Sequence, residues 1–345
     1  MATSPSPSTA RFALSERART LLMRFLVFPV YFLCCFFSSA YETFPYERVR
    51  DFAIHAIEAQ VPGSEVDIVS LEPAWISGVE AQGVRIRLPQ GPDEERRAEL
   101  TIPRIYARAG ILAYLFGTTD VTFEIETDGG GTITGEVTDS RSGSGEDEHQ
   151  LTHVVARIEH VDLRRIGVIR HSLGLPVEGI VAGDVDVTLS DELAQTTGHV
   201  TLTIDDLAIG DGNATINVIP GSSRGLAVER IAAGDVNLQI DIEHGVGRVG
   251  QLVSDGEDAQ LLGQGTIRFL RPLPMSALDL LLRINVTQAY RERNDRTRAI
   301  FGLVGLAPEA RAYTATDGAF QLRLQGAIGG RVLALPAGTA TLGGH

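Results

Sequence analysis

From residue 66 onward, apolar residues return at every second position. Val66 and Ile68 flank Asp67, and Val84, Ile86 and Leu88 alternate with Arg85 and Arg87. Val121, Phe123 and Ile125 alternate with Thr122 and Glu124. Val185, Val187 and Leu189 enclose Asp186 and Thr188, and Val200, Leu202 and Ile204 enclose Thr201 and Thr203. The same pattern runs through Val236, Leu238, Ile240 and Ile242, and again through Phe320, Leu322 and Leu324. Side chains on a strand point alternately to opposite faces, so each run predicts a strand with one apolar and one polar face. Glycine-bearing turns separate many of the runs: Gly129-Gly130-Gly131, Gly183-Asp184, Asp211-Gly212, Gly234-Asp235 and Asp317-Gly318.

A sheet with one apolar face and few helices to cover it has two outcomes. Two sheets pack together, or one long sheet leaves its apolar face lining a trough. An open trough of that size needs a ligand or a partner. In that case the residues expected to line it are Val121, Phe123, Ile125, Val185, Val187, Leu189, Val200, Leu202, Ile204, Val236, Leu238, Ile240, Phe320, Leu322 and Leu324.

Helical spacing is scarcer. In residues 46–59, Val49, Phe52, Ala53, Ala56 and Ile57 predict a short amphipathic helix. Three further short helices are predicted, over 103–116 beginning at Pro103, over 161–174, and over 287–305. Residues 139–150, "DSRSGSGEDEHQ", read as an exposed loop.

The N-terminal part is different again. Residues 1–20 read as a disordered tail. Residues 21–41 carry no charge apart from Arg24, and about 1.5 Å per residue gives them roughly the 30 Å of a hydrocarbon core. Arg11, Arg17, Arg19 and Arg24 precede or open the span against a single Glu16, which puts the N-terminus in the cytoplasm and residues 46–345 across the membrane. Ser38-Ser39-Ala40 is an acceptable cleavage site, so a signal peptide is the competing reading. The bulky apolar run and the aromatics Tyr41 and Phe44 favour a retained anchor.

The formal charge is −14, with +3 in the first 40 residues and −17 in the rest. An acidic domain of this kind argues against nucleic acid as a partner and against lying flat on anionic lipid. Both cysteines, Cys34 and Cys35, lie in the apolar span, so cysteine supplies neither nucleophile nor metal ligand beyond it.

Three motifs suggest chemistry and are read as structure. "GSSRG" (Gly221 to Gly225) matches a nucleophile elbow around Ser223, with Asp235, Asp241 and His244 following. The strand–turn–helix context of an elbow is missing. "GVGRVG" (Gly245 to Gly250) follows a strand but leads into no helix, and reads as a turn. His149 and His153 lie four apart beside an acidic run, without H-E-x-x-H, which favours a solvated loop over a metal site. No cofactor is expected, and no enzyme.

Four stretches, in order, carry a family likeness: "TFPYERVR" (Thr43 to Arg50), "LEPAWISGVEAQGVRIRLP" (Leu71 to Pro89), "LTIPRIYARAGILAYLFG" (Leu100 to Gly117) and "ATDGAFQLRLQGAIGGRVLALP" (Ala315 to Pro336). This order resembles type II secretion system protein N (GspN) in its long bitopic form, and more loosely the AsmA-like proteins. The resemblance implies a single-pass inner-membrane protein facing the periplasm, with a long, curved, mostly antiparallel sheet forming an open groove. It implies other type II secretion components as partners, or lipid acyl chains in the groove. In the AsmA-like alternative the chain binds or transfers lipid and has no role in secretion. The family offers no catalytic residues to carry over.

Overall fold

The computed structural model describes residues 24, 27–43, 46–60, 63–74, 77–88, 99–110, 118–142, 149–167, 175–213, 215–216, 226–227, 229–306, 311–328 and 332–337. The chain divides into two compact units, Met1–Tyr46 and Glu47–His345.

The first unit contributes helix α1, Phe28–Thr43. Phe28 is 65% and Phe32 67% exposed, and the rings of Phe32 and Phe36 stack with centroids 6.3 Å apart. α1 covers residues 28–41 of the span expected over 21–41, and residues 21–23, 25 and 26 of that span lie outside the described set. No helix among the described residues is long and apolar enough to cross a membrane.

The second unit is mainly β. It begins within α2 (Tyr46–Gln60), at Glu47, and continues through β1 (Glu65–Ala74), β2 (Gly78–Arg87), β3 (Glu99–Ala109), β4 (Thr119–Glu126) and β5 (Thr132–Ser142). Then come β6 (His149–Asp162), β7 (Val177–Ser190), β8 (Thr197–Ile209), the short pair β9 (Thr215–Ile216) and β10 (Leu226–Ala227), and β11 (Ile231–Glu243). The chain goes on through β12 (Val246–Asp255), β13 (Ala259–Arg268), β14 (Ala277–Val286), α3 (Gln288–Arg291), α4 (Asp295–Leu306), β15 (Phe320–Ala327) and β16 (Val332–Pro336). Fourteen strands form one antiparallel sheet in sequence order, from β1 at one edge to β16 at the other, and β9 pairs only with β10. β1 and β16 do not pair, so the sheet is open. The two-sheet packing left open by the alternation is not what forms.

The first half of the helix predicted over 103–116 is corrected: residues 103–109 belong to β3, and residues 111–116 lie outside the described set. The misreading has a physical cause. Val69, Gly83 and Pro103 lie abreast on β1, β2 and β3 and form no ladder pair. Across that line the alternation changes phase. Ile68 and Leu71, Val84 and Ala81, and Ile102 and Ile105 are each three apart, yet pack into one cluster. A spacing of three imitates a helix. Gly83 takes φ +62°, which the turn of phase requires, and Pro103 falls where a missing N–H breaks no ladder bond.

The helix predicted over 161–174 is also corrected. β6 runs to Asp162, a single 3-10 turn follows over Leu163–Arg165, and residues 168–174 lie outside the described set. Asp162 caps that turn by accepting from Arg164 N–H at 3.0 Å. The helices expected over 46–59 and 287–305 correspond to α2 and to α3 with α4. On α2, however, Ala53, Ile54 and Ile57 face the sheet, while Phe52 is 75% exposed. β5 and β6 extend into the loop expected over 139–150 from both sides, and residues 143–148 lie outside the described set.

Candidate functional site

Directly paired residues of an antiparallel sheet share a face. Following the pairs from strand to strand gives a row that crosses the whole sheet. It runs Pro73, Val79, Ala107, Phe123, Gly135, Ala156 and Val185 on β1 to β7. It continues through Val200, Ile240, Val249, Gly265, Leu280, Leu324 and Ala334 to β16. A second row lies beside it: Leu71, Ala81, Ile105, Ile125, Ile133, Ile158 and Gly183, then Leu202, Leu238, Leu252, Gly263, Leu282, Leu322 and Pro336. No strand contributes a polar side chain to either row. At about 4.8 Å per strand, each row follows the sheet for roughly 60 Å.

All fifteen residues singled out from the sequence lie on this face. Val187 and Val236 are buried, at 8% and 4% exposure, and the other thirteen are half-buried. Leu189 marks a margin: it pairs with Thr152, whose hydroxyl donates to Asp139 Oδ1 at 2.6 Å. The sequence reading missed the small residues Gly135, Ala156, Gly183 and Gly265, and also Val249 with Leu252. A register shift on β12 places Val249 and Leu252 on one face although they are three apart.

The face is covered unevenly. α2 lies over β1 to β3, against Val66, Ile68, Ala81 and Val84. Leu163 and Ile166 pack on Val177, Leu207, Ala233 and Val236. At Phe320, the ring of Phe301 on α4 sits 6.3 Å away and meets Tyr290 edge-on at 6.1 Å. Tyr290 is 2% exposed and donates its hydroxyl to Glu229 O at 2.9 Å. Burial pushes its phenol up to about 12. Between these covers, the two long rows have only half-buried side chains over most of their length.

Small side chains shape that middle stretch. A Cβ on Gly135 would come within 2.5 Å of Val155 O and 2.6 Å of Phe123 Cζ, so the phenyl ring lies across the glycine.

The opposite face is polar, and side-chain hydrogen bonds and ion pairs link its neighbouring strands. Arg157 Nε donates to Asp184 Oδ1 at 2.9 Å, His153 Nε2 meets Asp186 Oδ1 at 2.8 Å, and His199 Nδ1 meets Asp241 Oδ1 at 2.7 Å. Arg323 clamps Asp279, and its guanidinium holds that carboxyl below the usual range. A hollow of about 720 Å³ lies on this side of β3 to β7, flanked by Tyr106, Glu124, Glu136, Arg157 and Asp184. The predicted trough residues Phe123 and Val185 also border it, but their paired rows assign their side chains to the other face.

The rejected motifs can be placed. Ser223 lies outside the described residues. Asp241 is engaged with His199. Gly245 sits in a turn with φ +72°, and β12 follows at once, so "GVGRVG" joins two strands. Among the described residues, no group of three His, Cys, Asp or Glu is arranged to hold a metal ion. The arrangement can hold an extended apolar chain by contact, without hydrogen bonds.

Comparison with protein-family models, with curated proteins and with solved structures finds no match for this chain.

Proposed function

We propose that this chain is a non-enzymatic binding protein, anchored in the bacterial inner membrane by residues 21–41, with residues 46–345 in the periplasm. Its working surface is the apolar sheet face, curved into an open groove. The observation that carries the reading is the pair of uninterrupted apolar rows, fourteen strands long. Each strand turns its apolar side to this face, and the described residues cover only part of it. The order of the four sequence stretches supports a place among the components of type II secretion, where the face and the strand edges meet partner proteins by contact. A second reading, an AsmA-like lipid carrier, draws on the rows themselves. They present no hydrogen-bonding side chain, which suits an acyl chain better than a peptide.

A photoreactive phenylalanine analogue at Leu238 tests the surface, with the same analogue at the neighbouring Gln239 as the control on the polar face. In intact cells the Leu238 position is expected to form adducts and the Gln239 position is not. Adducts with lipid favour the carrier, and adducts with protein favour contact. Equal or absent labelling at both positions overturns the role of the face. A strain lacking the chain then separates the processes. Secreted hydrolases trapped in a tight periplasm support the secretion reading. Normal secretion with a leaking outer membrane supports the lipid reading.

A further inference from the structure

The two edges of the sheet are built to opposite rules. β1 carries Glu65, Asp67, Glu72 and Pro73, and Glu58 of α2 accepts from the outward N–H of Val66 at 3.3 Å. Charge, proline and a covering helix are the usual guards of an edge. Among the described residues, β16, "VLALP", has none of them except its terminal proline, and all five of its residues are exposed. Its partners on β15 show that Val332, Ala334 and Pro336 share the apolar face, while Leu333 and Leu335 lie on the polar one. Leu333 is 48% and Leu335 40% exposed, so the edge is apolar on both sides.

The backbone direction follows from two hydrogen bonds. Ile328 N–H donates to Ser276 O at 3.0 Å, so even-numbered residues of β15 face β14. Gln321 N–H donates to Tyr313 O at 2.6 Å, on the other side of β15. The odd-numbered residues therefore bond β16, through Leu333 and Leu335. Val332 and Ala334 turn their N–H and C=O groups outward. Only the carbonyl of Ala334 has a described partner there, the Tyr313 hydroxyl at 3.4 Å.

We propose that β16 is a dimerisation edge that pairs antiparallel with β16 of a second copy, centred on Leu333. In that register Val332 of each copy bonds Ala334 of the other, and the two Leu333 side chains meet on the polar face. An uncharged strand that is apolar on both sides suits this edge. The chain as a whole carries −14, and its other edge would bring Glu65, Asp67 and Glu72 against their own copies. The β16 encounter alone joins two copies without a charged side chain in the paired strands. Because β1 is guarded, the contact closes at two copies and does not run on into a fibre. The proposal deepens the contact reading above, yet it concerns the edge, whereas the photoreactive analogue reports on the face, so either can fail alone.

The test uses the intact chain in membranes, with Cys34 and Cys35 changed to Ser and Leu333→Cys added. Directly opposite residues of a non-hydrogen-bonded pair have Cα atoms about 4.5 Å apart, within disulfide reach. Mild oxidation is expected to give a reducible species of twice the monomer mass. Val69→Cys, on the β1 edge and more exposed at 61% than Leu333 at 48%, should stay monomeric. Adding Ala334→Pro removes only an outward N–H and should abolish the cross-link with sheet content unchanged. Val332→Pro repeats that test at the strand's first residue, should Ala334→Pro fail to fold. A monomer from Leu333→Cys, a cross-link that survives both prolines in folded protein, or a product of another mass overturns the proposal.

Discussion

The margin of the apolar face over β1 to β3 and the open stretch over β7 to β13 share one composition but differ in packing. Under α2, Ile68 is 3% and Val84 1% exposed. In the open rows, Leu202, Leu238 and Leu252 are half-buried with the same kind of side chain. Alternation alone decides which face is apolar. What differs is whether a neighbouring segment lies close enough to cover it. The covered margin is core, whereas no described segment covers Leu202, Leu238 or Leu252. Substitutions should therefore separate stability from binding along a single face.

The largest effect is expected at the covered margin. Val84→Asp buries an unpaired carboxylate and should cost about 4 kcal/mol or more, unfolding the domain in a denaturant titration. Leu238→Asp, in the open stretch, leaves its carboxylate an exit to water. It should cost about 1–2 kcal/mol while abolishing adducts from a photoreactive group placed at the neighbouring Leu252. If the two substitutions destabilise equally, the distinction between margin and middle is wrong.

Next comes Gly135→Val. The new side chain collides with Val155 O and the Phe123 ring, and should cost about 1–3 kcal/mol by strain. Restoring the loss by adding Phe123→Ala, read from thermal melts, would locate the clash at that ring.

Tyr290→Phe should cost about 1 kcal/mol, since it leaves the Glu229 carbonyl without its donor. The wild-type phenol stays neutral to about 12. Stability that it contributes is complete below the ordinary phenol value of about 10 and is lost as pH rises through the folded one. Ultraviolet titration of the folded protein should show one tyrosine ionising late, and that step should be missing in Tyr290→Phe.

The smallest effect concerns Asp162. Hydrogen bonds from the Arg164 guanidinium hold its carboxyl below the usual range. Its contribution is present above the unfolded carboxylate value of about 3.9 and is lost as pH falls through the lower folded value. Asp162→Asn should flatten the acid limb of the stability curve by a measurable fraction while leaving stability at neutral pH within about 1 kcal/mol of the parent.

Much of the sheet was legible because its alternation is long and regular. All fifteen residues chosen by spacing share one face. The failures fall where the period breaks. The phase change through Val69, Gly83 and Pro103 turned a strand into an apparent helix, and the register shift on β12 hid Val249 and Leu252 from a search for every second residue. Glycine and alanine in the rows went unnoticed because they carry no apolar signal of their own. Their place emerges only from the strands on either side. Whether the sheet closes on itself, pairs with another or stays open is a matter of long-range pairing. A single strand's sequence does not encode it.

The meander also makes the molecule's reach countable. Every strand of the large sheet neighbours its predecessor, save that β9 and β10 step aside between β8 and β11. A hairpin could be gained or lost anywhere along such a chain without rethreading the rest. Each gain would lengthen both apolar rows by about 9.6 Å, two strand spacings. Length in this architecture is thus a quantity that duplication and deletion can adjust in fixed increments, and the fourteen strands seen here are one setting of it.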